Sequence, residues 1–401
     1  LQSQVYANKK ILSLQSNEIE ATVTGKFKIM ELPDAFKVFL NHYYPSYIKK
    51  PGYAMHDQNF SFFIKTKEVD NYIQLLDKKL KGFDNSLISG NLNLNENELN
   101  INADIPLFSY AGKTFSTTKL TSHGNQDTLV AKIDVEDIAI NDSLHLPATN
   151  LVFSSHSDIS TISLRTRASE ALSDASLNAE IQTMSEKVKI HFFPSSFIIN
   201  DKKWQLEKDG ELTIGTSTIS ANDIKFTQGN QQITILTEPS EILNSNDILI
   251  GLKKVSINEV APYLFKHPRL EGILTGNIKI ADPFGNPFIQ YTAQAEEVRI
   301  DADSIGIINS TGTYASSTGI VQFKADANNE KYQFTVDGSF NSQDSTANQT
   351  SIAFKTNKFK LSILNKYLDD IFSNIDGVAN TSDLKISGNK KHLLLTGSSI
   401  V

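Results

Sequence analysis

Residues 91–105 read NLNLNENELNINADI, and the order of these letters decides the fold class. Leu92 and Leu94, then Leu99, Ile101, Ala103 and Ile105, alternate with Asn or Asp. Successive side chains of a strand point to opposite faces, so the stretch makes two strands around a polar turn, each with one apolar and one wet face. The same alternation returns in IHFFPSSFIIN (190–200), STISANDIKFTQGNQQITIL (217–236), GIVQFKADANNEKYQFTVDGSF (319–340) and TSIAFKTNKFKLSI (350–363). Asn, Asp, Gly and Ser clusters punctuate it into predicted strands of about 5 to 9 residues, the pattern of antiparallel hairpins. Asn328-Asn329 and Gly229-Asn230 are predicted two-residue turn centres.

A short phrase also recurs, a small residue or two followed by apolar, polar, apolar. It reads TGKFKI at 24–29, SGNLNL at 89–94, DGELTI at 209–214 and TGNIKI at 275–280, with a looser copy, TSDLKI, at 381–386. Four segments break the period of two and follow the helical one: Phe36, Phe39, Leu40 and Tyr43; Val69, Tyr72, Ile73 and Leu76; Val260, Tyr263 and Leu264; and Ile363, Leu364, Tyr367, Leu368, Ile371 and Phe372. Ser256 and Glu259 have the spacing of a capping box for the third. Helices so short need a surface to lie on, here the apolar face of the sheet or its end.

Composition narrows the function classes. The 401 residues are 39% hydrophobic with mean hydropathy −0.25, too apolar for a disordered chain, and no apolar run approaches the roughly 18 residues that cross a bilayer. The formal charge is −7, and arginine occurs only at 165, 167, 269 and 299, which disfavours nucleic-acid binding. Cysteine is absent, so disulfides and thiolate metal sites are excluded. The chain begins with Leu and ends just after a predicted strand, so both ends read as cut from a longer protein.

The stretches 255–300 (VSINEVAPYLFKHPRLEGILTGNIKIADPFGNPFIQYTAQAEEVRI) and 359–400 share an order: short helix with an aromatic and Leu, apolar-x-Gly turn, alternating strand, Pro- or Gly-containing turn, strand; in 187–235 a strand, an Asn turn and a Trp-bearing strand follow one another. In this the chain resembles the TamB proteins of the AsmA-like group, inner-membrane components of the translocation and assembly module. The resemblance covers about 60% of the chain and rests on pattern and spacing, with no catalytic motif. It implies a β-taco, a long antiparallel sheet folded lengthwise around an apolar groove, in a protein anchored in the inner membrane and reaching across the periplasm of a Gram-negative bacterium. It further implies phospholipids as cargo and a BamA-like outer-membrane barrel as partner, met through a segment that these residues do not include.

Catalytic and metal chemistry find little footing. The histidines (42, 56, 123, 145, 156, 191, 267 and 392) show no zinc-like pair spacing. Ser154, Ser155, His156 and Asp158 contain triad residue types, but neighbours on a strand point apart. Asp301-Ala302-Asp303 opens like a calcium loop and then has Ile305 and Gly312 where ligands belong. The expected protein is therefore a non-enzymatic, all-β, elongated antiparallel β-taco with no cofactor, no metal and no nucleic-acid partner. At about 4.8 Å per strand, some 25 strands would extend about 120 Å. It is read as one continuous body, 1–401, in approximate repeat units 1–88, 89–190, 191–254, 255–358 and 359–401. The expected groove lining is Leu92, Leu94, Ile101, Ile219, Phe226, Ile278, Ile280, Val321, Phe323, Phe334, Val336 and Phe354. The rival readings are an assembly factor that pairs strands at exposed sheet edges, a closed β-sandwich array and an outer-membrane barrel.

Overall fold

The computed structural model describes residues 1–401 apart from 7–8, 56, 141–144, 168–171, 200–201, 208–209, 243–244, 262–267, 302, 344–349, 366–373 and 390–391. It is an all-β protein of antiparallel strands with a few short helices, divided into two compact units, Leu1–Thr216 and Ser217–Val401. The division falls inside the repeat unit read from the sequence as 191–254.

The first unit contains, in order, β1 (Gln2–Tyr6), β2 (Lys9–Gln15), β3 (Ile19–Lys26), α1 (Leu32–Tyr43), β4 (Asn59–Thr66), α2 (Asp70–Leu76), β5 (Leu80–Gly82), β6 (Leu87–Asn93), β7 (Glu98–Tyr110) and β8 (Lys113–Gly124). It continues with β9 (Leu129–Ala139), β10 (His145–His156), β11 (Ile159–Arg167), β12 (Leu172–Thr183), β13 (Lys187–Phe192), β14 (Ser195–Ile199), β15 (Lys202–Leu206) and β16 (Glu211–Gly215). Each strand from β1 to β4 pairs with the next, β4 pairs with β6, and the run from β6 to β12 is again sequential. β5 adds beside β7, and β12 splits its edge between β13 and β14.

The second unit contains β17 (Ile219–Asn222), β18 (Ile224–Gln228), β19 (Gln231–Pro239), β20 (Asn246–Ser256), α3 (Ile257–Val260), β21 (Leu270–Ala281), β22 (Phe288–Ile300), β23 (Asp303–Ala315), β24 (Ile320–Asn328), β25 (Tyr332–Asn341), β26 (Thr350–Lys360), β27 (Val378–Gly388) and β28 (Leu393–Thr396). From β18 to β28 every strand pairs with its successor. β1 and β28 each have a single described partner, so the sheet is open at both of these strands.

The hairpin read from residues 91–105 is present, with Leu92 opposite Leu99 and Asn93 opposite Glu98. Gly229-Asn230 makes its two-residue turn between Gln228 and Gln231, with Gly229 at φ 54°. The Asn328-Asn329 turn is displaced: Asn329 N–H donates to the Tyr332 carbonyl, which puts Glu330 and Lys331 at the centre. The Asn329 side chain accepts from the backbone of both Lys331 and Tyr332, an Asx turn that outcompetes the sequence-adjacent pair. Many strands are longer than expected; β7, β22 and β23 each span 13 residues. Asn, Ser and Thr residues lie within these continuous strands and do not end them.

α1 and α2 form where the helical period predicts them, and of the third and fourth segments Ile257–Val260 and a short 3-10 turn at Leu361–Leu364 lie among the described residues. The rest, including Tyr263, Leu264, Tyr367, Leu368, Ile371 and Phe372, lie outside them. The capping box is not made. Ser256 Oγ turns to Asn258 Oδ1, and the buried Glu259 carboxylate accepts from Gln231 Nε2 at 3.2 Å, a tertiary partner that removes it from the helix end. No helix among the described residues is long and apolar enough to cross a membrane.

Candidate functional site: the apolar sheet face

Register places the alternating apolar residues of the second unit on one face, because directly opposed residues in antiparallel strands project to the same side. One row runs Phe226, Ile233, Leu252, Gly276, Ala293, Ser310, Ala325, Val336, Phe354, Leu384. The next runs Ile224, Ile235, Ile250, Ile278, Tyr291, Gly312, Phe323, Gly338, Ile352, Ile386. A third carries Ile248, Ile280, Ile289, Tyr314, Val321 and Phe340. Phe334 stands opposite Ala327 on the same side. Seven of the expected residues in these rows, Phe226, Ile278, Ile280, Val321, Phe323, Val336 and Phe354, are half-buried, as is Phe334. Ile219, on the short β17, is half-buried, and its carbonyl accepts from Asn246 Nδ2 at 2.6 Å.

The opposite face carries Leu236 and Leu249 but is otherwise largely polar and knitted by side chains. Lys279 bridges Glu238 and Asp247, each at 2.9 Å, and these two hydrogen bonds hold its ammonium well above the usual lysine range. Gln294, Asn309 and Asp326 form a cross-strand chain with 3.0 Å links, and Lys324 meets Asp337 at 3.3 Å. Charge on one side and hydrocarbon on the other fix the register, since a one-residue slip would exchange the faces.

One margin of the apolar face is closed by the chain itself. Register shifts in the β20–β21, β21–β22 and β22–β23 pairs line up near Lys254 (φ 52°), Gly272 (φ 147°) and Glu297 (φ 53°). Bulges in neighbouring strands bend the sheet together. Beyond this line Val298, Ile305, Ala327, Tyr332 and Ile363 form a buried cluster with Phe334, Phe359 and Leu364 against it. Burial pushes the Tyr332 hydroxyl up to about 12, with Asp303 at 3.3 Å adding to the shift.

Aromatic rings lying across glycines are the feature that the sequence pattern did not disclose. Tyr291 faces Gly312 and Phe323 faces Gly338, and in both pairs a Cβ on the glycine would overlap the ring. The rings therefore lie down on the neighbouring strand, which keeps the face low in relief and shields the glycine backbone. Register was the missing signal, since neither pair is close in sequence. Gly338→Val is expected to lift the Phe323 ring and cost about 1–3 kcal/mol. In a double-mutant cycle with Phe323→Ala, measured by urea unfolding, the double variant should lose less than the sum of the singles, and strict additivity would refute the contact.

In the first unit the corresponding face carries Ile64, Ile88, Ala103, Leu120, Ile133, Leu151, Leu164 and Leu177 in one register row. All are half-buried except Ala103, which is buried. At one margin α1 lies on the face and fills it. Ala35, Phe39 and Tyr43 are fully buried against Phe27, Phe60, Leu92, Leu99 and Leu129, and Phe39 covers Gly124. Leu92 is thus completely covered, and Leu94 and Ile101 pack against the same cluster. The Tyr43 hydroxyl donates to the Asn125 carbonyl, and burial pushes it up to about 12.

The segment with triad residue types serves this packing. Ser155 and Ser160 are buried and share a 2.8 Å hydrogen bond under the Tyr44 hydroxyl, 2.5 Å from Ser155 Oγ. His156 is exposed, and Asp158 accepts from Ser46 N–H and Oγ at 3.0 and 2.8 Å. The calcium-like segment is strand from Asp303 onward; Asp301 Oδ1 accepts from Arg269 N–H at 3.2 Å. Among the described residues, no three His, Asp or Glu side chains gather as a metal site.

No model of a known protein family matches this chain, and a search of curated proteins finds no match to it.

Proposed function

We propose that the apolar face holds phospholipid acyl chains and passes them along successive strands, a non-enzymatic lipid-transfer role. The observation that carries this reading is the intermediate exposure of the face between its closed margins. Apart from the buried Ile224, rows of Ile, Leu, Val and Phe stay half-buried from β18 to β27, and among the described residues no second layer covers them. A closed core would bury them fully, while a water-filled apolar trough is an aggregation hazard. Acyl tails resolve the conflict, gaining about 0.8 kcal/mol per buried CH₂, with headgroups left in water. The resemblance to TamB proteins supports the same reading and extends it: inner-membrane anchoring, delivery across the periplasm toward the outer membrane, and a BamA-like barrel partner. Purified protein is expected to carry phospholipid above the level of a control protein of equal size, measured by extraction and lipid mass spectrometry. A lipid-free protein of normal stability would defeat the proposal.

One observation favours a second reading, strand addition at an open edge. All four residues of β28 are exposed, with Leu393, Leu394 and Leu395 each above 60% accessible, and among the described strands only β27 pairs with it. An extended partner segment could add there through backbone hydrogen bonds. That binding would survive charges placed on the apolar face, whereas acyl-chain binding would not.

A further inference from the structure

We propose that the α2 end of the first unit docks on an anionic lipid surface. This inference does not rest on the apolar face holding lipid. α2 packs on β5, and β5 pairs with the end of β7, Leu80 opposite Tyr110. The Lys79 carbonyl accepts from Ala111 N–H at 2.9 Å, which fixes the loop after α2 beside the β7–β8 turn. This small assembly presents apolar side chains to water: Leu75 is 82% accessible and Tyr72, one turn earlier, 56%. Tyr110 on the adjoining turn is 45% accessible.

Around them stand Lys78, Lys79, Lys81 and Lys113, all exposed and none in an ion pair among the described residues. Asp77 is exposed and accepts from Lys79 N–H at 2.8 Å, while Asp70 and Asp84 are half-buried and turned to the backbone, accepting from Gly82 N–H and Val69 N–H, each at 2.6 Å. A chain with net charge −7 thus sets four exposed lysines beside an exposed leucine and two exposed tyrosines. Tyrosine rings with a polar tip, a leucine able to enter the acyl boundary, and flanking ammonium groups fit the interface of a bilayer with negatively charged headgroups. A soluble polyanion would use the lysines and gain nothing from Leu75.

The test is flotation of the whole chain with vesicles of phosphatidylglycerol mixed into phosphatidylcholine, against phosphatidylcholine alone. Binding is expected to the anionic vesicles, to weaken with added salt, and to fall about a hundredfold in K78E/K79E/K81E, at roughly fivefold per lysine. Leu75→Ser should weaken it several-fold while leaving thermal unfolding unchanged, because that side chain is exposed. K49E/K50E/K331E, three exposed lysines elsewhere, should bind as the parent does. Equal affinity for neutral vesicles, an unaffected α2 triple variant, or an equal loss in the control triple would overturn the proposal. So would lysine-dependent binding that Leu75→Ser leaves intact and that free nucleic acid displaces, which would mark a polyanion site.

Discussion

Phe39→Ala will destabilise the first unit by about 3–5 kcal/mol, the cost of deleting a fully buried aromatic side chain. Phe39 has no accessible surface, lies 5.2 Å from the Tyr43 ring centre and covers Gly124. The cavity cannot be filled by a neighbouring strand, because α1 reaches the sheet through Ala35, Phe39 and Tyr43 alone among its fully buried residues. Removing the middle of the three takes away the helix's central fully buried contact, leaving the half-buried Phe36 and Leu40 beside the gap, and a helix of this length is marginal without tertiary packing. Leu75→Ala on α2 provides the contrast, since an exposed side chain should matter by less than about 0.5 kcal/mol. Urea unfolding followed by circular dichroism will read both, with two transitions allowed for because the chain forms two compact units. A loss below about 1 kcal/mol for Phe39→Ala would mean that α1 is not a structural part of the sheet face.

That α1 is helical was legible from Phe36, Phe39, Leu40 and Tyr43; that it would bury Leu92 was not. Alternation along Leu92, Leu94, Leu99 and Ile101 says which side chains share a face, but period two contains no information on what lies above them. The same limit hid the ring-over-glycine pairs. Tyr291 and Gly312, or Phe323 and Gly338, become neighbours only through strand register, which depends on turn lengths and bulges. Bulges were themselves illegible at Lys254 and Glu297, whose left-handed backbone is foreign to their side chains and goes with the register shifts of their strand pairs. Glu259 failed as a capping residue for a related reason: a local motif lost to Gln231, 28 positions away. Where a residue's partner is set by the strand it faces, as for Ile278 between Ile250 and Tyr291, the alternating pattern sufficed to name the face.

On the proposed lipid-transfer reading, replacing Ile278 and Ile280 together by Asp will leave the protein folded and stop acyl chains from passing β21. Ile278 lies between Ile250 and Tyr291, and Ile280 between Ile248 and Ile289, all half-buried and all on the apolar face. Lys279 between them points to the other side, where Glu238 and Asp247 hold it, so the polar face and its ion pairs are untouched. On an open face the two new carboxylates stay hydrated, at a cost of about 1–2 kcal/mol for the lost packing. Against acyl tails they cost several kcal/mol each, because nothing in hydrocarbon solvates them. A row of apolar residues conducts no better than its worst cross-section, so lipid bound on one side of β21 could no longer pass to the other. Crosslinking of tail-labelled phospholipid to probes at Ile233 on β19 and Val336 on β25 reads this directly, with mass spectrometry giving the total lipid content. A folded variant that crosslinks on both sides as the parent does would end the conduction reading and favour strand addition at the edge. A variant that unfolds would show the face to be the interior of a closed core, in which hydration is denied to protein and lipid alike.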